Sequence, residues 1–189
     1  MTTQRRHYEI VEEPRGAVYR GLLSALAPLC PLVLFTLPPR QQASPLARAV
    51  LAQLSEEILE VRLSTSWPGT GFGDGYAWLE EDPAVIARYG AEVYSLRLTE
   101  RVLHVLLTVA DGLYDWQFPD LPENLCLLRP ERQACLWSAV PDRFAYLYVT
   151  DAEMRAILRQ VHGLRVERVP AGEEWQEPVW WADADPTRS

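Results

Sequence analysis

The chain has 189 residues, 48% of them hydrophobic and 23% charged, which suits one well-buried domain and excludes collagen, coiled coil and wholesale disorder. All 18 basic side chains are arginine, so chemistry needing a lysine amine is excluded: P-loop nucleotide binding, the kinase phosphate-binding lysine, and pyridoxal or aldolase Schiff bases. The formal net charge is −8, and half of that excess follows Pro170, where Glu173, Glu174, Glu177, Asp183 and Asp185 face Arg188 alone. With no basic stripe to grip a phosphate backbone, direct nucleic-acid binding is not expected. Three cysteines, an odd number in a chain this long, fit a reducing compartment better than a disulfide framework, and a cytoplasmic location is expected. Residues 21–39 carry no charge and follow four arginines, but Pro28, Pro31, Pro38 and Pro39 break any spanning helix. That stretch reads as a core helix followed by a buried strand, with no membrane partner.

In chain order, HYEIVE (7–12) alternates in polarity and predicts a first strand. Residues 17–29 predict a helix with Val18, Leu22, Leu26 and Leu29 on one face, and LVLFTL (32–37) a buried strand. Ser44 before Pro45 is an N-cap opening a helix that aligns Leu46, Val50, Leu54 and Ile58. A strand over 61–67 leads into a loop, then a short strand over 76–79 and a helix starting at Asp82-Pro83. Residues 93–98 predict a strand. Thr99 caps a helix so apolar that it is expected to run through the core and end at Gly112. Strands over 125–129 and 134–140 form a hairpin around Pro130–Gln133, and FAYLYV (144–149) is the next strand. A capping box (Thr150, Glu153) starts the last helix, Gly163 ends it, and 164–169 is a final strand. The fold expected is α+β: a single domain over 1–170 with a mixed or mainly antiparallel sheet packed by four to five helices, and an acidic tail over 171–189. The early β-α-β-α-β order suggests a parallel patch.

No diagnostic catalytic or metal motif is present, and no cofactor is expected. The glycine series GTGFGDG (69–75) repeats every second residue, unlike a dinucleotide fingerprint, and reads as a turned loop beside Trp67 and Trp78. His104 is expected to be a hydrogen-bonded core residue and His162 to sit at a helix end. A symmetric hairpin would put Cys126 and Cys135 on the same face. The densest chemistry is ADGLYDWQFPDLPEN (110–124), where Asp111, Asp115, Asp120 and Glu123 mix with Tyr114, Trp116 and Phe118. Two readings fit: a loop whose aromatics plug the core while its acids face water, or a contact surface with large rings at its centre. In the tail, Trp175, Trp180 and Trp181 either pack back on the domain or engage a partner.

The run DGLYDWQFPDLPENLCLLRP, followed by ACLWSAV and by FAYLYVT before a capped helix, resembles small bacterial immunity-type proteins, which neutralise a cognate toxin by direct binding. The resemblance implies a non-catalytic protein and carries no residue-level role. The expected function is therefore a protein-binding module, an inhibitor or immunity protein whose acidic-aromatic surface takes a basic partner. Its expected contact residues are Asp111, Tyr114, Asp115, Trp116, Phe118, Asp120, Glu123, Trp175, Trp180 and Trp181. A small hydrolase built from carboxylates or a Cys–His pair is the rival class, and an adaptor subunit of a larger assembly the third.

Overall fold

LVLFTL is apolar at nearly every position because its strand, β2 (Leu32–Leu37), is covered on both faces in the interior of a sheet. The computed structural model describes residues 4–38, 43–69, 84–85, 90–175 and 179–180. The other strands are β1 (Arg5–Ile10), β3 (Ile58–Ser64), β4 (Ala91–Arg97), β5 (Glu123–Leu128), β6 (Ala134–Ala139), β7 (Phe144–Thr150) and β8 (Val166–Arg168). They form one eight-stranded sheet in the order β3-β4-β2-β5-β6-β7-β1-β8, with every neighbouring pair antiparallel. Among the described residues four α-helices have both ends defined: α1 (Ala17–Leu26), α2 (Pro45–Leu54), α3 (Glu100–Val109) and α4 (Asp151–Gln160). The fold is α+β. The expected parallel patch does not form, because β4 lies between β2 and β3, and β5, β6 and β7 lie between β2 and β1.

One face of the sheet carries the helices and the main core. Val33 and Phe35 of β2, Leu125 and Leu127 of β5, and Ala145, Leu147 and Val149 of β7 meet Leu22, Leu23 and Leu26 of α1 and Met154 and Ile157 of α4. The alternate residues Leu34, Val93, Cys126 and Leu128 form a smaller cluster on the second face, with Trp67, Trp137 and Trp180 against it. At about 25 cal/mol per Å², the apolar burial of this double-sided centre supplies most of the drive to fold.

Local signals set the helix starts. Ser44 Oγ accepts from Ala47 N–H at 3.0 Å, Thr99 Oγ1 from Val102 N–H at 3.3 Å, and Thr150 and Glu153 complete a reciprocal capping box. Each cap satisfies amides that the helix cannot, worth about 1 kcal/mol. Tyr8 of β1 donates to Asp151 of α4 at 2.6 Å; burial and this bond push its phenol up to about 12.

Three expectations are corrected. Helix α3 does not run through the core: it buries Val102, Val105 and Leu106 and leaves His104 exposed, so its apolar girth exceeds the face the sheet covers. Gly112 lies beyond the helix end in extended backbone, and what it provides is space, since a Cβ there would come within 2.6 Å of both Arg15 Nη1 and Glu13 Oε1. Cys126 and Cys135 point to opposite faces. The hairpin register shifts between Leu127↔Leu136 and Leu128↔Ala134, and the extra residue, Cys135, joins Cys30 in the main core. The stretch over 21–39 divides into α1, a 3-10 turn and β2, and no helix among the described residues is long and apolar enough to cross a membrane.

After β3 the chain crosses the second face through Trp67, Pro68 and Gly69. Gly69 has φ +90°, and a Cβ there would lie 3.0 Å from the Ser138 carbonyl oxygen and 3.1 Å from the Trp137 ring. Gly69→Ala combines left-handed strain with a backbone clash and is expected to cost roughly 1–3 kcal/mol, read as a lower urea midpoint with unchanged slope. The rest of the glycine loop and the expected strand at 76–79 fall outside the described residues; of the helix expected to start at Asp82-Pro83, residues 84–85 are helical and its start is outside them.

Candidate functional site: an acidic-aromatic strip on the second face

FAYLYV alternates, and β7 keeps Ala145, Leu147 and Val149 in the core while Phe144, Tyr146 and Tyr148 point to the second face. On β1, Tyr8 and Ile10 enter the core, so His7 and Glu9 share the face of the β7 rings. The register sets His7 opposite Tyr148 and Glu9 opposite Tyr146, while Trp137 of β6 lies across from Tyr146 on its other side. His7 stacks on Tyr148 with centroids 4.5 Å apart, and Trp137 lies 4.8 Å from Tyr146.

The tail completes this strip. Val169 N–H donates to His7 O, Gly172 turns the chain at φ +105°, and Glu174 pairs with Arg6 at 2.8 Å. Trp175 is thereby laid on His7 at 3.8 Å, with its ring edge-on to Tyr146 at 5.2 Å and 6.2 Å from Trp137. It is 39% exposed, and Phe144 is 49% exposed. The rings are thus fixed by one another while part of their apolar area meets water.

At the other end the strip continues into the loop after α3. Burial, then the Glu9 carboxylate, push the Tyr146 phenol up; burial, then Glu13, raise that of Tyr114, with Arg143 pulling it the other way. Arg143 lies 5.4 Å over the Tyr114 ring and donates to Glu13 at 3.3 Å. Arg15 donates to Glu13 at 2.7 Å and to both Asp115 oxygens at 3.0 and 3.3 Å, and Arg20 pairs with Asp111 at 3.0 Å. Exposed ion pairs of this kind add little stability each, but together they hold the loop in one geometry.

The expected contact residues divide accordingly. Tyr114 and Trp175 border the strip. Asp111 and Asp115 are neutralised by arginines of the same chain, so they are not a free acidic patch. Trp116 is fully buried, stacked 5.6 Å from Phe35, and Phe118 is buried beside it in sequence. For these two rings the core-plug reading holds, since a ring enclosed by the core offers no area to a partner. Asp120 is exposed, with its carbonyl accepting from Ser44 Oγ, and Glu123 is half-buried at the start of β5, where burial pushes its carboxyl up. Trp180 packs on the second-face cluster, with its backbone N–H bonded to Arg132 O, and Trp181 falls outside the described residues. The residues that sequence reasoning missed are His7, Glu9, Trp137, Tyr146 and Tyr148. The period-two aromatics of FAYLYV were a visible signal; their pairing with β1 was not.

The ingredients of the hydrolase reading are dispersed. All three cysteines are buried and none forms a disulfide, whereas His104 and His162 are exposed. The carboxylates nearest the loop are tied to arginines, and among the described residues no group of three or more His, Cys, Asp or Glu could hold a metal ion. Inside the core the Cys135 thiol is held below its usual range by a hydrogen bond from Cys30 and, more weakly, by Arg129, which itself makes a two-pronged pair with Glu153 at 3.1 and 2.9 Å. No protein-family model matches this chain, nor does any curated protein or any solved structure, and the strip's own geometry is what speaks for its use.

Proposed function

We propose that this protein is a non-catalytic binding module, of the inhibitor or immunity kind, that takes a basic protein partner on the acidic-aromatic strip. The observation that carries this reading is the fixed row Tyr114, Tyr146, Trp175 and Tyr148, partly open to water, with the buried His7 ring held against Trp175 and Tyr148 and with Glu9 opposite Tyr146. Rings already stacked lose little conformational freedom on binding, and Tyr and Trp dominate binding hot spots. The net charge of −8 and the Glu9 carboxylate steer a cationic partner and set a salt-dependent association rate.

The test is capture from the native host's lysate by the tagged chain at low and high salt, with Trp175→Ala and Tyr146→Ala run in parallel. The expected result is one stoichiometric basic companion that weakens in high salt and is lost from both variants. A companion held equally by the variants would move the contact elsewhere. Recovery of the chain alone would remove the binding reading.

A further inference from the structure

The two edges of the sheet are built differently. Edge β8 is three residues long and carries Glu167 and Arg168, the short, charged form that discourages pairing. Edge β3 is seven residues long, and among the described residues no strand lies on its outer side. Its alternate residues Leu59, Val61 and Leu63 are 40%, 49% and 48% exposed, so an aliphatic stripe runs beside a row of backbone donors and acceptors. Glu60 and Arg62 stand on the other side of the strand, opposite Ser95 and Val93 of β4, with Arg62 bonded to Glu60 at 2.9 and 2.7 Å.

The order Leu59-Glu60-Val61-Arg62-Leu63 is chemically palindromic. When two copies run antiparallel about Val61, Leu59 faces Leu63, Val61 faces Val61, and each Glu60 faces the other copy's Arg62. Opposite-charge and aliphatic cross-strand pairs are both favourable, and the three regular positions Glu60, Val61 and Arg62 are matched at once. The neighbouring two-fold registers, two residues away in sum, set Arg62 on Arg62 or Glu60 on Glu60, so charge selects a single alignment. The bulge between Ile58 and Glu60 falls at Leu59, so Glu60, Val61 and Arg62 are the residues that specify this register.

We infer that β3 is a self-recognition edge: two copies of this chain pair β3 to β3 across a two-fold axis, centred on Val61, into one continuous sheet. The pairing is isologous and closed, and it leaves the aromatic strip, at the opposite end of the strand order, open on both copies.

Sedimentation velocity on the full chain, up to about 300 µM, tests this directly. Wild type is expected to pass from monomer to dimer with concentration. Arg62→Glu and Glu60→Arg each turn two attractive cross-pairs into like-charge pairs and are expected to weaken the dimer by at least about tenfold. Circular dichroism matching wild type shows that each variant is folded. Mixing the two variants is the decisive arm, since a Glu-bearing strand then meets an Arg-bearing one and the dimer is expected to return. Wild type that stays monomeric throughout, single variants that dimerise like wild type, or a mixture that stays monomeric would each overturn the inference.

Discussion

Trp116→Ala is expected to lower folding stability by about 3–5 kcal/mol, the range for emptying a large aromatic site in a core that cannot collapse. Trp116 is fully buried, and its ring lies parallel to Phe35, 4° between planes. Its indole N–H donates to Tyr19 Oη at 2.8 Å, and Tyr19 in turn donates to the Leu106 carbonyl at 2.9 Å. One side chain therefore ties the loop after α3 to both α1 and α3. Trp116→Phe keeps most of the stacking but removes a buried hydrogen-bond donor, and about 1–3 kcal/mol of the loss should remain. Urea unfolding followed by far-UV circular dichroism measures both. A loss below about 1 kcal/mol for the alanine variant would show that the loop is not docked on this ring. Because Tyr114 and Asp115 precede Trp116 directly, loosening the loop should also disturb the strip's nearer end.

The second large effect is expected at Glu153. Its carboxylate caps α4 and pairs with Arg129, whose side chain is only 6% exposed. Glu153→Ala leaves that guanidinium inside the core without its counter-charge and deletes half of the capping box. The expected cost is about 3–5 kcal/mol, and a joint Arg129→Met/Glu153→Leu change should recover much of it. Burial raises the Glu153 carboxyl, but the Thr150 backbone N–H and then Arg129 outweigh it, so the folded value lies below the ordinary one. For an acid with a depressed folded value, the unfolded chain binds the proton more readily. The stabilisation is therefore complete above the unfolded value of about 4.3 and is lost as pH falls through the lower folded value. The gap in urea midpoint between wild type and Glu153→Gln should be full at pH 7 and narrow steadily as pH falls below about 4. A gap that did not narrow at all with falling pH would show that the carboxylate's charge is not what stabilises the native state.

The parts of this protein that the sequence made readable are those decided within a few residues. Ser44-Pro45, Thr99 and the Thr150–Glu153 box placed three helix starts, because an N-cap needs only a side-chain oxygen and an amide two or three positions on. The apolar run at β2 was read with its bounds intact, since a strand covered on both faces has no polar side to show. The acids and rings of the loop over 110–124 were also visible as chemistry, and so were the tail tryptophans.

What lay beyond the sequence were the relations between distant segments. Strand order is settled by pairing across the whole chain, so nothing near β2 announced that β4 and β5 would flank it and exclude a parallel patch. Composition could not say which rings of one loop turn inward. Trp116 is held inside by Phe35 and Tyr19, about eighty and a hundred residues earlier in sequence, while Tyr114 stays at the surface beside Arg143. One bulge moved Cys135 to the opposite face from Cys126, a shift invisible to any periodic rule. The strip itself joins β1, β6, β7, the loop after α3 and the tail, and only the folded sheet brings those segments together. Local sequence thus determined the helix caps and the bounds of β2, and tertiary structure decided which side chains became surface, because burial is a property of the packed whole.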